Sequence, residues 1–173
     1  MNPSSNFAAP VRRPPATDPL DALGLTCRPL TDGDTAGVTR LYTAMSGRDR
    51  RNRFFSPHPG DLGRLAAETV RADATHAAIG AFDGGLLVGV AQYLALDTEA
   101  AEVAVVVAGK FQDRGVGTAL LRRLADIARG NGIRHLLAEV LPTNSKMMRL
   151  LIEADFPISA QRQDGIAYVD AVL

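Results

Sequence analysis

The sequence holds a single cysteine, Cys27, so no disulfide can form within the chain. A reducing, cytoplasmic setting is the expectation. No apolar run approaches the roughly 20 residues that span a bilayer. No apolar h-region of a secretory signal stands near Met1. An excess of one charge is also lacking, with 19 Lys+Arg against 19 Asp+Glu. No global field therefore draws the chain to nucleic acid or to an anionic membrane. His58, His76 and His135 share no metal-ligand spacing, and no metal site is expected. Internal repeats are absent.

What is present is ordinary for a globular chain. Over 173 residues, 46% are hydrophobic and 22% charged, enough for one core without staples. Pro3, Pro10, Pro14, Pro15 and Pro19 crowd a stretch with no apolar periodicity. Residues 1–23 therefore read as an extended or disordered tail, and residues 24–173 as one domain.

The most informative stretch is Lys110-Phe111-Gln112-Asp113-Arg114-Gly115-Val116-Gly117-Thr118. The preceding run, Ala101 to Ala108, is almost continuously apolar and β-branched, which predicts a buried strand. The following run places Val116, Leu120, Leu121, Leu124, Ile127 and Ala128 on one helical face. A strand that turns through glycines into a helix makes an anion site. The first helical N–H groups have no intrahelical partner, and the helix dipole adds positive charge there. Gly115 and Gly117 let phosphate oxygens approach the backbone. The P-loop spacing is missing, and Leu120 stands where a dinucleotide fingerprint needs its third glycine.

The rest of the chain sorts by its own punctuation. Leu25 to Leu30 predicts an edge strand, because Pro29 cannot donate to a ladder. Thr31 or Asp34 caps a helix running to about Met45. Asp61 caps another, ending near Asp73. His76–Asp83 and Leu86–Leu96 are strands joined at Asp83-Gly84-Gly85, and with the Glu102 strand they form an antiparallel meander. His135–Leu141 is a strand reached by a right-handed parallel crossover. A helix follows Asn144, and Phe156–Gln161 with Ile166–Leu173 closes the chain as a hairpin.

Gln112-Asp113-Arg114-Gly115-Val116-Gly117 resembles the acyl-CoA pyrophosphate loop, Gln/Arg-x-x-Gly-x-Gly/Ala, of the GNAT superfamily of N-acyltransferases. The element order over about residues 24–173 resembles that family's layout. The resemblance implies an α/β (α+β) fold with a mixed central sheet of six to seven strands flanked by about four helices. It implies acetyl-CoA as cosubstrate and an amine as acceptor. By the same resemblance, Gln112 to Thr118 hold the cofactor phosphates, and the backbone of Ala104, Val105 and Val106 carries its arm.

Glu102 stands alone in an apolar strand, either on a solvated edge or facing a cleft. It matches the family's general base in an Ala-Glu-Val stretch. Asn144 matches a helix-start asparagine that contacts the cofactor, and a bare N-cap would look the same. The family's thiolate-protonating tyrosine is replaced by Leu151, and the glycine of its Gly-Phe ending by Asp155. Arg48, Arg50, Arg51 and Arg53, leading into Phe54-Phe55, resemble a stretch of the bacterial protein-lysine acetyltransferase (Pat) branch. Otherwise they are a solvated helix face with aromatic anchors. A protein lysine is the expected acceptor. The alternatives are a small-molecule amine acetyltransferase and a non-catalytic acyl-CoA sensor. A homodimer is one expected assembly.

Overall fold

The computed structural model of the chain describes residues 18–173. One seven-stranded sheet runs through it in the order β1-β2-β3-β4-β5-β7-β6. The strands are β1 (Thr26–Pro29), β2 (His76–Asp83), β3 (Leu86–Ala95), β4 (Ala100–Val107), β5 (His135–Val140), β6 (Ile158–Gln163) and β7 (Ile166–Val172). Every neighbouring pair is antiparallel except β4 and β5, which run parallel through the crossover helix. The helices are α1 (Pro19–Ala22), α2 (Thr35–Ala44), α3 (Gly47–Phe54), α4 (Leu62–Val70), α5 (Val116–Gly130) and α6 (Ser145–Glu153).

Alternation along β4 divides the core in two. Val103 points to the face packed by α1 and α5, where Leu20, Leu120, Leu124 and Leu136 are fully buried. Val106 points to the opposite face, where Val38, Leu41, Tyr42 and Val70 pack from α2 and α4. This is the period-2 rule applied to a strand buried on both sides. Tyr42 satisfies its hydroxyl with Thr69 Oγ1 at 2.8 Å, so its ring can be buried without leaving a polar atom stranded.

The helix boundaries follow local chemistry. Asp61 Oδ1 accepts from the Arg64 N–H at 3.1 Å and starts α4, which ends at Val70, three residues before the expected stop. Ser46 caps α3 through the Asp49 N–H at 3.0 Å. The closing hairpin turns at Asp164 and Gly165, both at positive φ, with β6 starting two residues later than the spacing suggested.

The expected tail boundary needs revision. Residues 1–17 lie outside the described residues, but Asp18 to Leu23 belong to the fold. Asp18 caps α1, and Leu20 is fully buried against α5. Asp18 also pairs with Arg123 at 2.8 Å, which ties α1 to the middle of α5. Proline marked this segment as irregular, but Pro19 sits at the first position of α1, where a missing N–H costs nothing. With α1 and α3 the described residues hold six α-helices rather than about four.

Cys27 packs half-buried against the core, and burial pushes its thiol pKa up, which suits packing and not nucleophilic use. His76 is buried and bonded to the Arg71 carbonyl. His135 lies 3.0 Å from Asp170.

Truncating Leu20 tests whether α1 is part of the domain. Leu20→Ala should lower unfolding free energy by about 2–5 kcal/mol, the cost of an unfilled core position. Urea denaturation would show an unchanged midpoint if α1 were a loosely attached tail.

Candidate active site

The site is organised by a parting of two strands. β4 pairs with β5 at Ala100–His135, Ala101–Leu136 and Glu102–Leu137. β4 continues to Val107 and β5 to Val140, yet no pairing follows Glu102. Beyond that residue the two strands diverge and open a wedge in the sheet.

The β3–β4 register decides which backbone groups the wedge exposes. Leu96 N–H bonds the Ala100 carbonyl and Ala108 N–H bonds the Val88 carbonyl, both at 2.8 Å. In an antiparallel ladder, hydrogen-bonded pairs recur at every second residue. Glu102, Ala104 and Val106 therefore direct their main-chain groups to β3. Val103, Val105 and Val107 direct theirs toward β5; the Val103 N–H belongs to the last pair, Glu102–Leu137, so the Val103 carbonyl and the groups of Val105 and Val107 face the wedge. The Val107 carbonyl is taken by Gln112 Nε2 at 2.9 Å. The expectation that Ala104, Val105 and Val106 all present backbone is thus redistributed. Val105 keeps that assignment and Val103 joins it, whereas Ala104 and Val106 offer side chains.

The wedge leads to the glycine turn. Gly115 has φ +81° and stands directly before α5, a conformation that L side chains adopt with strain. A Cβ there would also come within 3.1 Å of Pro19, so α1 closes over the turn. The first intrahelical bond of α5 is Ala119 N–H to the Gly115 carbonyl. The N–H groups of Val116, Gly117 and Thr118 are the unpaired start of the helix. A Cβ on Gly117 would approach Leu150 Cδ1 to 2.6 Å, so this glycine lets α6 draw close.

A cavity of about 350 Å³ joins these parts. Glu102, Ala104, Val105 and Val106 line it from β4, and Gln112, Asp113, Gly115, Gly117 and Thr118 from the turn. Asn144 lines it as well, while its Oδ1 accepts from the Met147 N–H at 3.1 Å. Asn144 is thus a helix cap located at the cavity wall. Arg114 and Val116 do not line the cavity. Arg114 is exposed with its guanidinium 5.8 Å from the Phe111 ring, and the Val116 side chain is fully buried. Val116 can contribute its N–H alone. Glu102 is exposed at the point where pairing ends.

Two cations were not singled out by sequence. Lys146 and Arg149 of α6 line the cavity opposite the turn. Lys146 Nζ bonds Gln112 Oε1 and lies 3.8 Å from Asp49 of α3. Arg149 pairs with Asp113 at 3.2 Å. Their three-residue spacing on one helical face was the available signal. Leu151 is fully buried and does not reach the cavity. No tyrosine, cysteine or histidine lines the cavity among the described residues. No group of three or more His, Cys, Asp or Glu among them is placed to hold a metal.

A mixed sheet wedged open at its one parallel pair, with a glycine turn and a helix start at the wedge, frames the cavity. A model of the acetyltransferase (GNAT) family matches residues 32–156, and the chain belongs to that family. The GNAT domain of PAT from S. lividans is similar at 30% identity, covering 85% of this chain and 89% of that one, with a TM-score of 0.77. The Salmonella typhimurium yncA structure with its cofactor acetyl-CoA shares the fold at 21% identity. It covers 86% of this chain and 92% of that one, with a TM-score of 0.71. Aminoglycoside acetyltransferase AAC(6')-Ib in complex with coenzyme A shares the fold at 19% identity. Coverage is 86% and 94%, and the TM-score is 0.64.

Gly115→Ala should cost about 1–3 kcal/mol, because alanine at positive φ is strained and its Cβ crowds Pro19. A thermal midpoint equal to that of the parent chain would show that the turn relaxes freely.

Proposed function

We propose that the chain moves the acetyl group of acetyl-CoA directly to a primary amine, with a protein lysine as acceptor and Glu102 as general base. The observation that carries this reading is the wedge that opens after Glu102, with unpaired backbone on one wall and the start of α5 at its end.

The residues fit such a cosubstrate. An extended arm bearing amides can add to β4 through the Val103 carbonyl and the groups at Val105, as a further strand would. Its pyrophosphate meets the N–H groups of Val116, Gly117 and Thr118. Lys146 and Arg149 supply charge from α6. The thioester brought by the arm is the activated acyl donor.

A lysine amine has a pKa near ~10.4 and arrives protonated. Glu102 accepts that proton, directly or through water, and frees the nitrogen lone pair. The nitrogen bonds to the acetyl carbonyl carbon, the C–S bond breaks with its electron pair leaving on sulfur as the CoA thiolate, and the second proton of the attacking nitrogen passes to the thiolate or to water, which leaves the neutral amide. Donors aimed at the carbonyl oxygen lower this barrier, and the free N–H groups of β4 are the available ones. With Leu151 buried, the thiolate leaves without a tyrosine to protonate it. Thiols ionise near pH ~8.5, so departure as the anion is tolerable.

The lysine acceptor and the Pat branch rest on three supports. Identity to the S. lividans domain is 30%. Tyrosine is absent from the described cavity wall. An arginine-rich helix ending in the exposed Phe55 borders the cavity.

Glu102→Gln should lower kcat by about 100-fold or more, with acetyl-CoA affinity held. A retained rate with an unaltered pH profile would overturn the base assignment. Lys146→Ala with Arg149→Ala should weaken acetyl-CoA binding about 10- to 100-fold by calorimetry, from the loss of charged contacts. An unchanged Kd would remove α6 from the phosphate site. Binding without thiol release against proteins and small amines would favour an acyl-CoA sensor. Release with small amines alone would move the acceptor to a metabolite or drug.

A further inference from the structure

The acceptor end of the cavity carries a second carboxylate that the chemistry above leaves unused. In the parallel register Glu102 lies beside Leu137, so the two side chains share a face of the sheet. Glu139 is two residues further along β5 and therefore projects from the same face. It lies beyond the last β4–β5 pair, where the wedge has opened. Glu139 lines the cavity and is exposed. Neither Glu102 nor Glu139 makes a side-chain hydrogen bond or ion pair with the other described residues.

Opposite these two carboxylates stands the end of α3. Phe55 terminates that helix at φ +59° and is 44% exposed at the cavity wall. An aromatic residue in the left-handed region costs energy that its exposed ring does not recover by burial. The ring is set at the mouth and not in the core. Asp49 of α3 also lines the cavity, turned toward Lys146 at 3.8 Å, and the exposed end of the helix beyond it is basic. Arg53 lines the mouth, with its guanidinium 4.8 Å over the Phe54 ring. Arg48 is exposed five residues earlier and reaches the Thr143 carbonyl at 3.4 Å, across the opening. Asn52 meets the Thr143 hydroxyl from the same side at 2.9 Å.

We propose that Glu139 anchors the acceptor ammonium while Glu102 removes its proton, and that the arginine rim selects lysines flanked by acidic residues. The proposal rests on the lysine-acceptor reading. One carboxylate cannot both hold an ammonium and carry away its proton without losing the attraction that holds it. Two on one face divide that work. Phe55 supplies an apolar wall for the alkyl stem of the side chain, which carries its charge at the tip. Residues flanking the lysine remain outside and face Arg48 and Arg53, where acidic side chains are attracted and basic ones repelled.

The test uses the full chain, acetyl-CoA and three peptides of equal length. Each carries one central lysine, flanked by Asp and Glu, by Ser and Gly, or by Arg. The expected order of kcat/KM is acidic, then neutral, then basic, with each step about fivefold, as rim charges contribute. Glu139→Gln should raise peptide KM about tenfold with kcat within about twofold, and Glu139→Asp should recover part of that loss. Arg48→Glu should narrow the acidic-to-neutral ratio at least threefold without a matching loss on the neutral peptide.

Equal kcat/KM across the three peptides would overturn the rim assignment. A 100-fold fall in kcat for Glu139→Gln with KM unmoved would make Glu139 the base and overturn the division of labour. Acetylation of small amines but of none of the peptides would defeat the lysine reading itself. Equal acetylation of all three would defeat only the present proposal.

Discussion

The structure depends on a strand pair that stops early. Three residue pairs hold β4 to β5, and the rest of each strand is left without the other. Each unpaired N–H and carbonyl at this edge is a group that folding has declined to satisfy from within. Sheet edges of this kind are normally blunted or covered. Here the opening lies in the middle of the sheet. Water or an extended molecule must complete it, and the cavity, the glycine turn and Glu102 are all arranged along it.

That opening is held apart by elements on both faces. α5 and α1 pack beneath it, with Leu20, Leu120 and Leu124 fully buried. α6 packs with them through Leu151, and α3 bridges from above, where Arg48 and Asn52 reach Thr143 and Asp49 reaches Lys146 through polar, exposed contacts. The lower side is therefore rigid through close packing, and the upper side is held by exposed contacts that are individually weak. A site that must admit two substrates gains from this asymmetry, since the rigid wall positions and the weaker wall can yield.

Much of this was legible in the sequence, for physical reasons that can be named. The meander, the crossover and the turn at Gly115 are written in local patterns: alternation, paired glycines and a clean helical face. Glu102 stood out because a lone charge interrupts an apolar strand. What escaped depends on distant residues meeting. Lys146 and Arg149 look like ordinary surface cations until α6 is placed opposite the turn. Glu139 gains meaning from a register that only the folded sheet specifies. The α1 boundary was missed because prolines signal irregularity equally well in a tail and at a helix start. The choice of Val103 over Ala104 for free backbone is a matter of hydrogen-bond phase, which side-chain composition does not encode.

The pairing of Arg149 with Asp113, and of Lys146 with Gln112 and Asp49, has a thermodynamic consequence. These cations are not bare. The chain supplies its own competitors, so arrival of an anion is an exchange of one set of partners for another. Part of the attraction is already spent before the ligand comes. Fewer counterions are then released on binding than the two positive charges alone would suggest. On the proposed reading of this site, its affinity for the cosubstrate phosphates should fall less steeply with added salt than that of an open pair of cations on a protein surface.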